Sequence, residues 1–335
     1  MIAQDIKHMA LQLGYTACGI IPSVSFDEYK QYLDERVNSF PESKKLYKPL
    51  YGLVKPPENS KSIIVCTWRY NRYKMPDHLD GVIGKLYLFD IVGAAWRENE
   101  AYIEFENYIN SLDINILEGY IPDRLAAAKA GLGKFGYNNF IYDPEHGSYI
   151  RIDAWSVDAE LDYDITPENT VLPECNASCL KCVEACPTKA LSGKFSMDRG
   201  KCVAQISYYS KDLPHEDTRT QMGSWLYGCD VCQDVCPLNK DKFTETEEYP
   251  AISGFEEYLQ LEKIMEMDVD TYIEKLYPHF GYTGKDGLWL WICNALRSMI
   301  NSGDAGYHHQ IKQYCDNPDR RISEMAKWGC SMLGI

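Results

Sequence analysis

Eight of the thirteen cysteines in this 335-residue chain fall in three short stretches, and their spacing constrains the fold more than any other feature. The first stretch runs Cys175-Asn-Ala-Ser-Cys179-Leu-Lys-Cys182-Val-Glu-Ala-Cys186-Pro187. The last runs Cys229-Asp-Val-Cys232-Gln-Asp-Val-Cys236-Pro237, and Cys202 stands alone between them. A turn with two-residue gaps can wrap three thiolates around one four-iron, four-sulfur cube, and the Cys before Pro is carried off to serve a second cube. The pattern therefore predicts two clusters. Cys175, Cys179, Cys182 and Cys236 hold one, and Cys186, Cys202, Cys229 and Cys232 hold the other. The gap from Cys175 to Cys179 carries one residue more than the usual turn. Paired Cys-x-x-Cys also binds zinc. Two Cys-x-x-x-Cys-Pro endings favour iron and sulfur instead. A disulfide framework fits poorly, because no secretory signal opens the chain and the gaps are ligand gaps.

The length suggests two or three domains. No run reaches the roughly 18 apolar residues of a membrane span, so no membrane partner is expected. The clusters imply a reducing, low-oxygen and cytoplasmic setting. The net charge of −15 disfavours wholesale binding to a polyanion while allowing a local basic patch.

Three segments are expected. Residues 1–165 alternate helix and strand. Ile6, Met9, Ala10 and Leu13 mark a first helix stopped by Gly14. Strands follow at 15–21, 62–68, 113–117 and 148–153. Tyr102, Phe105, Ile109 and Leu112 share a helix face, and an Ala-rich helix opens at Asp123. This alternation predicts an α+β or α/β domain with an open layer. Residues 166–245 read as a ferredoxin-like module held together by its clusters. Residues 246–335 read as helical, and 316–333 resembles one HEAT-type repeat unit. Cys18, Cys66, Cys293, Cys315 and Cys330 are expected as small core residues. His308-His309 reads as a solvated helix end.

The chain resembles the epoxyqueuosine reductases and, more broadly, the corrinoid iron–sulfur proteins that include reductive dehalogenases. The resemblance rests on Gly14-Tyr15, Cys18-Gly19-Ile20, Ala130-Gly-Leu-Gly133, Gly136-Tyr-Asn138 and Glu145-His-Gly-Ser-Tyr149. It rests most specifically on Met197-Asp-Arg-Gly-Lys-Cys202 with Tyr227-Gly-Cys-Asp-Val-Cys-Gln-Asp-Val-Cys-Pro237. It implies a nitroreductase-like α/β domain that binds a base-off cobalamin against a bacterial-type two-cluster module. Electrons would pass from an external ferredoxin- or flavodoxin-type donor through the clusters to cobalt. Gly131, Gly133, Gly136, Tyr137, Asn138, Gly147, Ser148 and Arg151 would contact the corrinoid. The glycines read equally as turn punctuation.

The resemblance also leaves differences. Of two family acids, Asp123 matches the one that opens the Ala-rich helix, while the other falls on Leu117 or Glu118. The family's Asp-Tyr-His stretch is replaced by Phe89-Asp-Ile-Val-Gly-Ala-Ala-Trp96, and its Gly-Lys-Asn lysine by Tyr137. Asp123, then Glu118, are the candidate acids. Asp123 also reads as an ordinary helix-start carboxylate. Tyr120 and Tyr137 are candidate proton donors. The implied substrate is a tRNA nucleoside, for which Lys44, Lys45, Lys48, Lys55, Lys61, Arg320 and Arg321 offer phosphate contacts. A small reducible molecule is the alternative, as is a role as electron carrier or activator of another corrinoid protein.

Overall fold

The computed structural model describes residues 2–89, 100–167, 169–175 and 178–335. The expected opening helix forms at Ile2–Gln12, buries Ala3, Ile6 and Ala10, and stops at Gly14, whose φ of 97° suits a residue without a Cβ. The N-terminal sheet comprises β1 (Ala17–Pro22), β2 (Ser62–Arg69), β3 (Ile116–Leu117) and, after the small ladder of β4 (Lys134–Phe135) with β5 (Ile141–Tyr142), β6 (Ile150–Val157). Its order is β1-β2-β6-β3, and all three pairings are antiparallel. Of the two expected classes, this is the α+β one. Alternation of helix and strand in sequence does not by itself set strand direction, because only a crossover over the sheet makes a parallel pair.

β2 carries a continuous apolar run, Ile63 to Cys66, because it is covered on both faces, and successive side chains alternate between them. Ile64 and Cys66 pack with Ala3, Ile6, Phe105, Ile109 and Trp155 on one side. Ile63 and Val65 pack with Leu125, Ala126, Ala127 and Ala130 on the other. The first face is covered by the opening helix and the helix Glu100–Ser111, and the second by the short helix Asp123–Lys129. Alanines bring that short helix close. A Cβ on Gly19 would lie 2.9 Å from Ala130 Cβ. The expected strand at 113–117 shrinks to two residues, since Asp113 (φ 59°) breaks the extended backbone before it.

Among the described residues the cysteine-bearing segment forms four one- or two-turn helices, Lys181–Ala185, Val203–Tyr209, Glu216–Gln221 and Val231–Asp234. The C-terminal helices Leu288–Ser302 and Arg320–Leu333 match the two apolar-periodic segments, with His308–Gln313 between them. Gly329 lets the last helix sit against Ile300, whose side chain would overlap any Cβ there. One core joins these helices to Tyr70, Leu79, Ile83 and Phe89 from the first half of the chain and to Tyr227 beside Cys229. The stretch Asp90 to Trp96 lies outside the described residues. Among the other cysteines, Cys66 and Cys293 are buried and Cys18, Cys315 and Cys330 half-buried.

Candidate functional site

Two foursomes of cysteine emerge from the tertiary fold. Cys175, Cys179, Cys182 and Cys236 ring a small hollow together with Tyr137, Asn138 and Tyr142. Cys186, Cys202, Cys229 and Cys232 lie along one wall of a large cavity of about 490 Å³. The eight expected ligands thus line two hollows, four in each. Among the described residues no three His, Cys, Asp or Glu side chains converge on a single point, as ligands of one metal ion would. Local backbone explains the positions. Cys202 sits just before the helix Val203–Tyr209, without a side-chain cap hydrogen bond, and the backbone N–H groups of Gln205 and Ala204 at the helix start act against burial on its pKa. The backbone N–H groups of Val231 and Tyr137 likewise act against burial on Cys229 and Cys175. Burial nevertheless raises the pKa of Cys202, Cys229 and Cys232, so four thiolates on that wall require a compensating positive charge.

Asp123 lines the same cavity as these cysteines. It begins its helix after Pro122, and its side chain, exposed at the molecular surface, forms part of the cavity wall. Burial pushes its pKa up to about 7, Asp153 adds to the shift and Arg124 opposes it. A carboxyl poised there can both hold and release a proton near neutrality. Glu118 and Tyr120 are not on the cavity wall. They lie in the exposed stretch that follows β3, and Tyr120 is 71% exposed.

The other anticipated contacts divide. Asn138 lines both hollows, and its Nδ2 donates to Tyr142 Oη (2.9 Å) and to the carbonyl of Cys232 (3.0 Å), which ties one foursome to the other. Tyr137 lines only the smaller hollow. The glycines meet their own chain. Gly133 and Gly136 leave room for Ile141 and Tyr142, while Gly147 leaves room for Asn239. Gly131 turns the chain at φ 76°. Ser148 is buried, with its hydroxyl bonded to Gln233 Nε2 and Asn239 Nδ2. Arg151 pairs with Asp153 and lies over the Trp68 ring. None of these last six lines the large cavity.

Several wall residues escaped the sequence analysis. Arg36, Arg124 and Arg199 line the cavity, as do Tyr29, Asn139 and Phe140. Asn139 adopts φ 69°, uncommon for a residue with a Cβ and often found at functional sites. The Asn138-Asn139 pair after Gly136 was a usable signal for such a turn. Arg36 carried no signal, being one charge among several on the helix Asp27–Ser39. Of the basic residues proposed for RNA contact, the five lysines are exposed. Arg320 pairs with Asp212 and Glu324, and Arg321 pairs with Asp319 and stacks on Trp289. No described helix is long and apolar enough to cross a membrane.

Residues 174–239 match the family of 4Fe-4S double cluster binding domains. Across most of its length the chain is similar to epoxyqueuosine reductases. It shares 29% identity with that of Cellulophaga algicola over 77% of this chain and 85% of the relative. It shares 26% with that of Cyclobacterium marinum over 71% and 79%. The fold is that of the epoxyqueuosine reductase of Bacillus subtilis, solved with its catalytic loop swung out of the active site (TM-score 0.81, 24% identity, 99% of this chain and 90% of that one). It is equally that of an epoxyqueuosine reductase solved with an epoxyqueuosine-modified tRNA-Tyr stem loop (TM-score 0.78, 24% identity, 100% and 90%). By these sequence relationships and this fold, the chain is an epoxyqueuosine reductase-like oxidoreductase built around a double iron–sulfur cluster domain.

Proposed function

We propose that the chain is a cobalamin- and [4Fe-4S]-dependent reductase that acts on a modified tRNA nucleoside. One observation carries this reading: Asp123 and the foursome of Cys186, Cys202, Cys229 and Cys232 line the same cavity. The donor set fits a large, flat ligand with an amide rim. Tyr29, Phe140 and Phe195 supply apolar wall, and Asn139 Nδ2 is a buried donor without a partner. Among the anticipated corrinoid contacts, Asn138 remains the one on this wall. Bound there, a corrinoid would supply a reduced metal centre for electron delivery to the substrate.

The chain's own residues then have separate tasks. Cys175, Cys179, Cys182 and Cys236 would hold the cluster that receives electrons from a ferredoxin- or flavodoxin-type donor. The cavity-lining foursome would hold the second cluster, next to the site of reduction. Asp123 would keep a proton in the cavity and give it to the oxygen that leaves the substrate. Glu118 and Tyr120 are secondary candidates. In one relative the catalytic loop has been captured outside the active site, and a comparable swing of the exposed 118–122 stretch would bring them in. The work divides among residues 1–165, 166–245 and 246–335, with the double cluster domain in the middle part, in a reducing cytoplasm.

Two measurements test the proposal. Anaerobically purified protein should bind cobalamin with shifted corrin absorption bands. Expression in a strain lacking epoxyqueuosine reductase should restore the reduced nucleoside in its tRNA. Cobalamin binding without restoration moves the substrate to a small molecule. Absence of cobalamin binding leaves an electron carrier and removes the proposal.

A further inference from the structure

Three arginines meet on one side of the large cavity, and no carboxylate answers them. Arg36 donates through Nη2 to Asn139 Oδ1 (2.6 Å) and through Nε to the carbonyl of Phe195 (3.2 Å). Arg124 donates through Nη1 to the Asn139 carbonyl (2.8 Å), so both guanidinium groups grip the same residue. Arg199 donates through Nε to Gln205 Oε1 (3.0 Å), and Gln205 lines the cavity too. Among the described residues none of the three arginines has a carboxylate within ion-pair distance. The carboxylates on the same cavity are otherwise engaged or placed. Glu28 pairs with Lys129, Asp230 is held by Lys85, and Asp123 is the candidate acid.

This arrangement is unusual in a chain with a net charge of −15, where an arginine easily finds an acid. Burial holds the Arg36 pKa below its ordinary value; Tyr47 and Tyr29 oppose that shift, while Arg124 and Arg199 reinforce it. Such a concentration of like charge is costly unless an anion sits among the groups. Asn139 supplies a second observation. It is 6% exposed, holds a strained φ of 69°, and keeps one amide donor unpartnered while both its oxygens are used by the arginines. Planar guanidinium groups match the oxygens of a phosphate, and a fixed amide can complete the set.

We propose that Arg36, Arg124, Arg199 and Asn139 form a subsite for a phosphodiester anion on the wall of the cavity. This deepens the proposed function and rests on it for the identity of the two possible carriers. A phosphodiester reaches this cavity either in the nucleotide tail of cobalamin or in the RNA backbone. The subsite would anchor one end of that ligand and leave Asp123 and the cysteine wall free for chemistry.

The test uses anaerobic, cluster-loaded protein and three probes: cobalamin, cobinamide (the corrinoid without nucleotide tail or phosphodiester) and a tRNA anticodon stem loop. Arg124→Gln removes an exposed side chain with a single hydrogen bond, and Arg36→Gln removes a half-buried one with two. If the cofactor carries the anion, each variant loses about tenfold in cobalamin affinity and keeps its cobinamide affinity. If RNA carries it, corrinoid binding is unchanged, stem-loop binding weakens about tenfold, and its salt dependence becomes shallower by about one unit of slope. Equal loss for cobalamin and cobinamide overturns the proposal, since the arginines would then act on the ring or the fold. Unchanged affinity for all three probes overturns it as well, as does a wild-type protein that binds none of them. Failure of wild-type protein to bind either corrinoid, with intact stem-loop binding that responds to Arg124→Gln, removes the cobalamin reading and leaves the subsite standing.

Discussion

Lys85 holds Asp230 twice. Its backbone N–H donates to Asp230 Oδ2 at 2.7 Å, and its ammonium group lies 3.6 Å from the same oxygen. Asp230 is buried between Cys229 and Cys232, so this contact fastens the cysteine loop to the segment from Tyr70 to Phe89. Burial works against the Lys85 charge, but Asp230 and Asp234 outweigh it and raise its pKa. Lys85→Met would leave Asp230 with its backbone donor and no countercharge. We expect a loss of about 3 kcal/mol, read as a lower urea midpoint with early release of iron. Unaltered midpoint and iron content would show the pair to be dispensable.

The cysteine sets make a pairing prediction. Anaerobic analysis should give about eight irons per chain. Cys175→Ser and Cys236→Ser should disturb the same electron paramagnetic resonance signal although 61 positions separate them in sequence. Cys186→Ser should instead reproduce the spectrum of Cys202→Ser. A Cys202→Ser variant with both signals intact would break the assignment.

Asp123 gives a pH prediction. Its folded pKa of about 7 stands above the ordinary value of 3.8. The folded state therefore holds the proton more tightly than the unfolded chain. The stability from this site is fully present below about 3.8 and is lost as pH rises through about 7. Urea unfolding of the wild type should show this slope, and Asp123→Asn should lack it. Turnover should likewise fall above about pH 7. Asp123→Asn should abolish turnover with corrin and cluster spectra unchanged. Loss of the corrin bands in that variant would make the residue structural.

Two glycines separate backbone conformation from crowding. Gly131 has φ 76°, but a Cβ there would meet only Pro167 Cγ at 3.7 Å. Gly131→Ala should cost about 1 kcal/mol, the penalty for the left-handed region. Gly147 has φ 62°, and its Cβ would overlap Asn239 Oδ1, which accepts the Ser148 N–H at 2.9 Å. Gly147→Ala should cost about 3 kcal/mol, because it adds a displaced hydrogen bond to the same strain. Equal losses in chemical unfolding would refute the distinction.

The sequence by itself determined the local features. Helical periodicity located the opening helix through Ile6 and Ala10, and the apolar run at 62–68 located β2, because each pattern follows from a single chain's own geometry. Cysteine spacing marked the eight thiols as candidate ligands, since a two-residue gap is the reach of neighbouring ligands within one turn. Asp123 was legible as the start of its helix. Tertiary structure alone decided what depends on distant segments. The strand directions, the absence of Glu118 and Tyr120 from the cavity wall, and the use of Gly133, Gly136 and Gly147 for internal packing all arise from residues remote in sequence. The grouping of Arg36 and Arg124 on Asn139, with Arg199 on Gln205 lining the same cavity, is the clearest case. Positions 36 and 199 are 163 residues apart, and their shared electrostatics exists only once the sheet, the short helix and the cysteine loops have packed around one cavity.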